Sequence, residues 1–148
     1  MFLRGWYFII FCILVVTLAM KLGDKNVLGG VLKLCCNSPT TGYFRDGYCR
    51  FVSSDQGSHT VCAKVTKEFL EFTKLQGNDL TTPRQYYDFP GLKPGDKWCL
   101  CASRWLEAEK FGVAPPVVLE ATNEKALDVI PLQVLQKYAD PSHEHQES

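Results

Sequence analysis

Six cysteines between residues 35 and 101 constrain this chain more than any other feature of its sequence. They are Cys35, Cys36, Cys49, Cys62, Cys99 and Cys101, and a seventh, Cys12, lies in an apolar N-terminal run. In an exported domain six thiols can form three disulfides, in several pairings among which a sequence does not choose. In a cytosolic domain they are more often buried, bound to a metal or redox-active. The compartment therefore decides how these thiols are used.

The compartment depends on residues 1–22. An uncharged apolar run, residues 5–20, is flanked by Arg4 and Lys21. This pattern is typical of a signal peptide or a short membrane anchor, although the run is shorter than the roughly 20 residues of a comfortable spanning helix. A third interpretation makes Met20 the true initiator. We expect a secreted or membrane-anchored protein, with a cytoplasmic protein as the alternative if translation starts at Met20.

Length and charge limit the remaining organisation. The 148 residues suffice for one domain with a core but not for two. We expect a globular domain over residues 23–139 and a disordered polar tail over residues 140–148. Sixteen basic and sixteen acidic residues cancel without forming a basic stripe, which excludes the usual footprint of a nucleic-acid-binding protein. Membrane association would rest on residues 5–20, and the oligomeric state is left open.

The first half of the domain is rich in turn-forming residues, with few regular elements. Residues 43–51 predict a tight hairpin that turns at Asp46-Gly47, because such a pair suits positive φ. Residues 58–65 contain enough β-branched side chains to predict a strand that enters the core. Thr66 then predicts an N-cap, and Gly77 the end of a first amphipathic helix.

The second half predicts two more helices around irregular chain. Residues 78–95 form a long loop, and a second helix begins after Asp96, with Trp98, Cys101 and Trp105 on its buried stripe and Cys99 at the margin. A short strand is expected over residues 114–122 and a last helix from Pro131. The overall prediction is an α+β fold: a single compact, loop-rich domain with short strands and about three helices, preceded by an N-terminal apolar segment.

The thiols and one histidine suggest two kinds of chemistry. Cys35, Cys49, His59 and Cys62 supply the nitrogen and sulfur ligands of a tetrahedral zinc site, although their spacing matches no zinc finger or ribbon. Alternatively, His59 could activate Cys62 or Cys35 as a nucleophile. The simpler alternative is that the thiols are buried apolar side chains, or are bonded in disulfides after export.

A second group of polar residues lies in or beside the predicted loops. Arginine forks match carboxylate and phosphate, so this loop face is predicted to bind an anionic small molecule. Ordinary surface charge and turn chemistry are the alternative explanation. The residues concerned are Arg45, Asn78, Asp79, Arg84 and Arg104.

Several motifs in order resemble a known family. They are Thr41-Gly-Tyr-Phe-Arg-Asp-Gly, Ser58-His-Thr-Val-Cys-Ala, Gly77-Asn-Asp-Leu-Thr-Thr-Pro, the block from Phe89 to Trp105, and Ala114-Pro-Pro-Val-Val-Leu-Glu-Ala-Thr. The chain resembles the bacterial domain of unknown function 2237 family from residue 26 to residue 139. The resemblance implies a fold but no activity.

The resemblance also bears on the cysteines and on one histidine position. It implies that Cys35, Cys49, Cys62, Cys99 and Cys101 occupy family cysteine positions, in relatives that look cytosolic and so keep reduced thiols. Where such relatives carry His after Ala-Thr, this chain has Asn123.

Three functions therefore stay open at the level of sequence. The first is an uncharacterised cysteine-rich domain whose loop face binds a small ligand or a metal. The second is a thiol-dependent enzyme that uses a Cys–His pair, and the third is an exported, disulfide-stabilised interaction module.

Overall fold

A computed structural model of the chain describes residues 23–143. The predictions for residues 1–22 and for the tail beyond residue 143 lie outside the described residues. The described part is a compact α+β domain, as predicted, with one two-stranded sheet and three α-helices. The elements are β1 (His59–Lys64), α1 (Lys67–Leu75), β2 (Lys97–Cys101), α2 (Ala102–Lys110) and α3 (Leu132–Lys137). Short 3-10 turns lie at Gln85–Tyr87, Leu119–Ala121, Glu124–Asp128 and Pro141–His143.

The sheet separates two apolar clusters. β1 and β2 are antiparallel, with Ala63 opposite Trp98 and Cys62 opposite Cys99. Because side chains alternate along a strand, these two pairs point to opposite faces. The face of Ala63 and Trp98 contributes to the main core, which the helices cover, and the face of Cys62 and Cys99 contributes to a smaller cluster of cysteines.

The prediction of one helix from residue 97 onward is wrong in its first part. Residues 97–101 form β2, and the helix starts only at Ala102. Pairing with β1 buries Trp98, Cys99 and Leu100 on both faces of the sheet, and this tertiary pairing overrides the helical periodicity. The predicted stripe holds from Ala102 onward, where it includes the fully buried Trp105.

The change from helix to strand also corrects the prediction for Cys99 and Cys101. A helix would direct the two side chains to different sides, with Cys101 in the core. On a strand, residues two apart lie on the same face. Cys99 lies within the strand and is buried beside the other cysteines. Cys101 is the last residue of β2 and is only half-buried.

The predicted boundaries of α1 are confirmed. The Thr66 hydroxyl accepts a hydrogen bond from the Phe69 backbone N–H at 3.2 Å, as an N-cap residue does. Gly77 follows the helix with a φ of 85°, a conformation that favours glycine.

Three other sequence predictions need correction. Residues 43–51 form turns without the predicted hairpin, although Gly47 does have positive φ. Residues 114–122 form no regular strand: Val117 makes isolated bridges and is followed by a 3-10 turn. The last helix starts at Leu132, with Pro131 as its N-cap residue.

Candidate ligand pocket and sulfur cluster

Two disulfides close a loop at both ends. Cys35 is bonded to Cys62, and Cys49 to Cys99. Cys62 and Cys99 face each other across the sheet, so the ends of residues 35–49, here called the pocket loop, meet at one cross-strand pair. All four cysteines are buried, and the sulfurs of Cys35, Cys49 and Cys99 all lie within 4.8 Å of one another.

Among the described residues, Cys36 and Cys101 are the free cysteines, and both are half-buried. The Cys101 sulfur lies 3.2 Å from the Ser103 hydroxyl oxygen. Cys101 is also opposite His59 in the register of the sheet. The free thiols therefore adjoin the disulfides in sequence but are more accessible than the bonded sulfurs.

One hydrogen bond joins the pocket loop to the sheet, and others within the loop hold its shape. The fully buried Thr41 hydroxyl accepts a hydrogen bond from the Cys99 N–H at 2.8 Å. The Gly47 N–H donates to the Thr41 carbonyl at 2.9 Å, and the Gly47 carbonyl accepts from the Cys35 N–H at 2.8 Å. Gly42 has a φ of 97°, and a Cβ there would overlap the Tyr48 carbonyl oxygen. The loop thus has little freedom to change shape.

Arg45 connects the pocket loop to the rest of the domain. Its guanidinium donates to the carbonyls of Gly42 at 2.6 Å, Tyr87 at 2.8 Å and Asp88 at 3.2 Å. The same group lies over the Trp98 ring, with Cζ 5.0 Å from the centroid. Burial lowers the pKa of the Arg45 guanidinium, and the Asp88 charge partly offsets this effect. With a φ of 53°, Arg45 is in a backbone region that few non-glycine residues adopt, and such residues concentrate at functional sites.

A pocket of about 750 Å³ opens beside Arg45. Two arginines supply positive charge and hydrogen-bond donors, a histidine supplies a ring nitrogen, and four aromatic rings supply flat apolar surface. None of the eleven described lining residues is Asp or Glu. They are Gly42, Tyr43, Arg45, His59, Asn78, Leu80, Arg84, Tyr87, Phe89, Trp98 and Cys99.

His59 is held in the pocket wall by a buried carboxylate. One Asp55 oxygen lies 2.8 Å from His59 Nδ1, and the other accepts the His59 backbone N–H at 2.9 Å. The Asp55 side chain is 2 % exposed and that of His59 is 42 % exposed. Because a carboxylate only accepts, Nδ1 carries the proton in neutral His59, which leaves Nε2 for water or a ligand.

Three of the five predicted ligand-binding residues line this pocket. They are Arg45, Asn78 and Arg84. The Asn78 side chain also donates to the Thr73 hydroxyl at 2.9 Å, and Arg84 is exposed, so its guanidinium is accessible.

The other two predicted ligand-binding residues do not line the pocket. Asp79 closes a turn: hydrogen bonds from the Thr82 hydroxyl and then from Thr81 hold its pKa well below the usual range. Arg104 lies on α2, donates to the Gln76 carbonyl at 3.1 Å and pairs with Glu107 at 3.2 Å. These contacts are structural.

The residues predicted for thiol or metal chemistry do not form the predicted groups. Cys62 and Cys35 are bonded to each other, so neither offers a free thiol to His59 in this state. The close group of sulfurs includes Cys99, while His59 is engaged by Asp55. Asn123 is buried, and its side chain caps the 3-10 turn that follows it.

Sequence reasoning missed the residues that position these groups. Asp55 could have been found from its position four residues before His59, and Cys99 from strand alternation in Cys99-Leu-Cys101. Helical periodicity places Trp98 in the core, and its contact with Arg45 has no local signal because 53 positions separate the two residues.

A comparison with protein families fits these motifs. The family described as "Uncharacterized protein conserved in bacteria (DUF2237)" matches residues 25–139, which include the pocket loop and both strands. The chain belongs to this family. A search of curated proteins found no match. The family is uncharacterised, and the features of this chain that bear on function are the pocket and the cysteines.

Two observations bear on location. Within residues 23–143, the helices are all too short or too polar to cross a membrane. The two disulfides are compatible with an oxidising compartment.

Proposed function

We propose that this domain binds an anionic small molecule with a planar ring in the pocket beside Arg45. The observation that carries the proposal is the Arg45 guanidinium, held over Trp98 by carbonyl groups at the wall of a pocket that lacks acidic lining residues. The volume of about 750 Å³ lies in the range of small-molecule sites.

Charge supports an anion as the ligand. Within residues 23–143, neither Arg45 nor Arg84 is in a salt bridge, whereas Arg50 and Arg104 both have carboxylate partners. The three carbonyls that bind Arg45 orient its fork without neutralising it. A carboxylate or phosphate group would neutralise the positive charge of the guanidinium, because its oxygens accept two hydrogen bonds from the guanidinium fork in matched geometry.

The aromatic lining supports a planar group beside the charge. Tyr43 and Tyr87 are both exposed, at 44 % and 61 %, and the edge of the pocket therefore presents aromatic rings to solvent. Phe89 and Trp98 are buried and pack edge to face, with their ring centroids 5.2 Å apart. Flat ligands stack on such rings with a gain of roughly 0.5–1.5 kcal/mol per pair.

The test uses two pairs of probes that differ in charge but have the same ring. They are 2-naphthoate against 2-naphthylmethylamine, and adenosine 5′-monophosphate against adenosine. We expect the anion of at least one pair to shift the Trp98 indole N–H resonance in NMR titrations, with a dissociation constant at least tenfold lower than that of its partner. Arg84→Gln should weaken this binding at least threefold, and Lys110→Gln, a charge change outside the pocket lining, should not.

Equal binding of both members of each pair, or no binding of any probe at millimolar concentration, would contradict the proposal. Binding that Arg84→Gln leaves unchanged would exclude this pocket as the site.

A second candidate function is metal binding by the thiols. The observation that favours it is the buried group of Cys35, Cys49 and Cys99, whose sulfurs are close enough to share one ion. Zinc is the metal that closed thiolate sites most often hold. Metal analysis of protein purified under reducing conditions tests this function, and less than about one zinc per ten chains would contradict it.

We also propose that the disulfide form belongs to an exported protein. The two disulfides and the apolar run of residues 5–20 support this proposal. N-terminal sequencing of the mature protein from its source tests it, and a soluble chain that begins at Met20 would contradict it.

A further inference from the structure

We propose that Cys35, Cys49, Cys62 and Cys99 form a tetrathiolate zinc site when the chain folds under reducing conditions, and that the ion then holds the pocket loop as the two disulfides do. The inference rests on the second candidate function and extends it to a ligand set and a structural role. In this set Cys99 takes the position that the sequence suggested for His59.

The distances between sulfurs support this ligand set. The sulfurs of Cys35, Cys49 and Cys99 are already within 4.8 Å of one another, and that of Cys62 is bonded to Cys35. A zinc–sulfur distance of about 2.3 Å in a tetrahedron corresponds to about 3.8 Å between sulfurs. Reduction of both disulfides frees these side chains to rotate, and the Cys62 sulfur, which lies outside the group of three, must move toward the other sulfurs to complete the site.

The elements that carry the four thiols suit a structural metal site. Cys62 and Cys99 are fixed at facing positions of the sheet, and Cys35 and Cys49 approach from the two ends of the pocket loop. All four residues are less than 7 % exposed, and Val118 and Ala121 cover the same cluster. A site closed to water in this way is typical of structural zinc, whereas catalytic zinc keeps an open position.

The chemistry of the two states balances. Zinc binding to four thiols releases four protons and leaves a complex with a net charge of −2. An azo oxidant such as diamide takes two electrons and two protons for each disulfide that forms. When two diamide molecules oxidise the metal complex, four electrons leave the sulfurs, four protons come from solvent, two disulfides form and Zn²⁺ is released.

The consequence concerns the ligand pocket. The pocket loop carries Arg45, and its two ends meet at Cys62 and Cys99 in either state. An ion bound to all four sulfurs keeps both ends at the sheet, and thereby keeps Arg45 over Trp98. Reduced protein without zinc lacks both connections, so its pocket loop should open.

The first experiment measures metal content and its release in the full chain. We expect one zinc per chain in protein purified with a phosphine reductant, and release of that zinc to a chromogenic chelator as diamide forms two disulfides. Cobalt in place of zinc should give the intense thiolate-to-metal absorption of a tetrathiolate complex. The oxidised chain should bind neither metal.

Cysteine neighbours provide matched control variants. Cys49→Ser and Cys99→Ser should lower zinc affinity at least 100-fold and weaken the cobalt absorption, whereas Cys36→Ser and Cys101→Ser should bind like the parent chain. If a ligand variant fails to fold, the cobalt spectrum of the parent still counts its thiolates. A spectrum with fewer than four thiolates, or full zinc affinity in Cys49→Ser and Cys99→Ser, would overturn the ligand set.

Trypsin tests the structural role, because Arg45 is inside the pocket loop. Cleavage after Arg45 should be slow in the oxidised chain and in the reduced, zinc-loaded chain, and at least tenfold faster in the reduced chain without metal. Equal cleavage with and without zinc would overturn the structural role while leaving metal binding intact. Absence of stoichiometric zinc would overturn both the second candidate function and this inference, but not the anion pocket.

Discussion

Cys62 and Cys99 face each other across the two-stranded sheet, and each is bonded to one end of the pocket loop. This arrangement brings cysteines that are separated by 27 and by 50 positions in the sequence into one buried cluster. It also holds Arg45, four residues before Cys49, against Trp98, the residue before Cys99 on β2. The sulfur cluster and the proposed ligand pocket are therefore parts of one construction.

The first prediction concerns Thr41, whose hydroxyl accepts the buried Cys99 N–H. Thr41→Val removes this acceptor, so we expect the free energy of unfolding to fall by about 1–3 kcal/mol. Thr41→Ser keeps the hydroxyl and is the matched control. Urea denaturation of the oxidised protein measures both, and equal stability of the two variants would contradict this role of the hydroxyl.

A second prediction compares two glycines with positive φ. Gly77→Ala meets no atom within 4 Å, so we expect only the backbone cost of about 1–2 kcal/mol. Gly42→Ala brings a Cβ against the Tyr48 carbonyl, which should add about 1–3 kcal/mol. Thermal unfolding of both variants provides the comparison. A Gly42→Ala protein as stable as Gly77→Ala would show that the pocket loop can relax.

The pair of Asp55 and His59 leads to a third prediction. Asp55→Asn replaces one carboxylate oxygen by an amide donor, so one of the two His59 N–H groups loses its acceptor. We expect a loss of about 1–2 kcal/mol in stability. In the parent protein at high pH, nitrogen NMR should find the His59 proton on Nδ1. A proton on Nε2 would contradict the assigned hydrogen bond.

The fourth prediction concerns pH and Asp79. Hydrogen bonds from Thr82 and Thr81 lower its pKa in the folded state, so the charged form stabilises the fold. This contribution is fully present above the unfolded pKa of about 3.9 and is lost as pH falls through the lower folded value. The stability difference between the parent and Asp79→Asn should therefore shrink below about pH 4.

Urea midpoints at neutral and acidic pH measure this difference. Thr82→Ala removes the largest cause of the shift and should reproduce part of the effect. A parent-to-variant difference that stays constant into the acid range would contradict the role assigned to Asp79.

Elements governed by local chemistry could be predicted from the sequence. Thr66 caps α1 and Gly77 follows its end because a hydroxyl acceptor at the N-cap and a residue without Cβ after the last turn favour helix ends through local contacts. The β-branched residues of β1 and the polar loop residues likewise carry their own signals. For this reason the α+β class, and three members of the pocket, could be named without a structure.

Only the tertiary structure decided how residues 97–101 are used and how the cysteines are paired. That segment fits a helical stripe when considered alone, and it becomes a strand because β1 offers backbone partners and two apolar faces. The disulfides and the contact of Arg45 with Trp98 join groups that no local rule links. The sequence by itself determined the two ends of α1, since the capping effects that set them act within a turn of chain. The folded chain determined the site, because a pocket and a sulfur cluster exist only once distant segments are packed together.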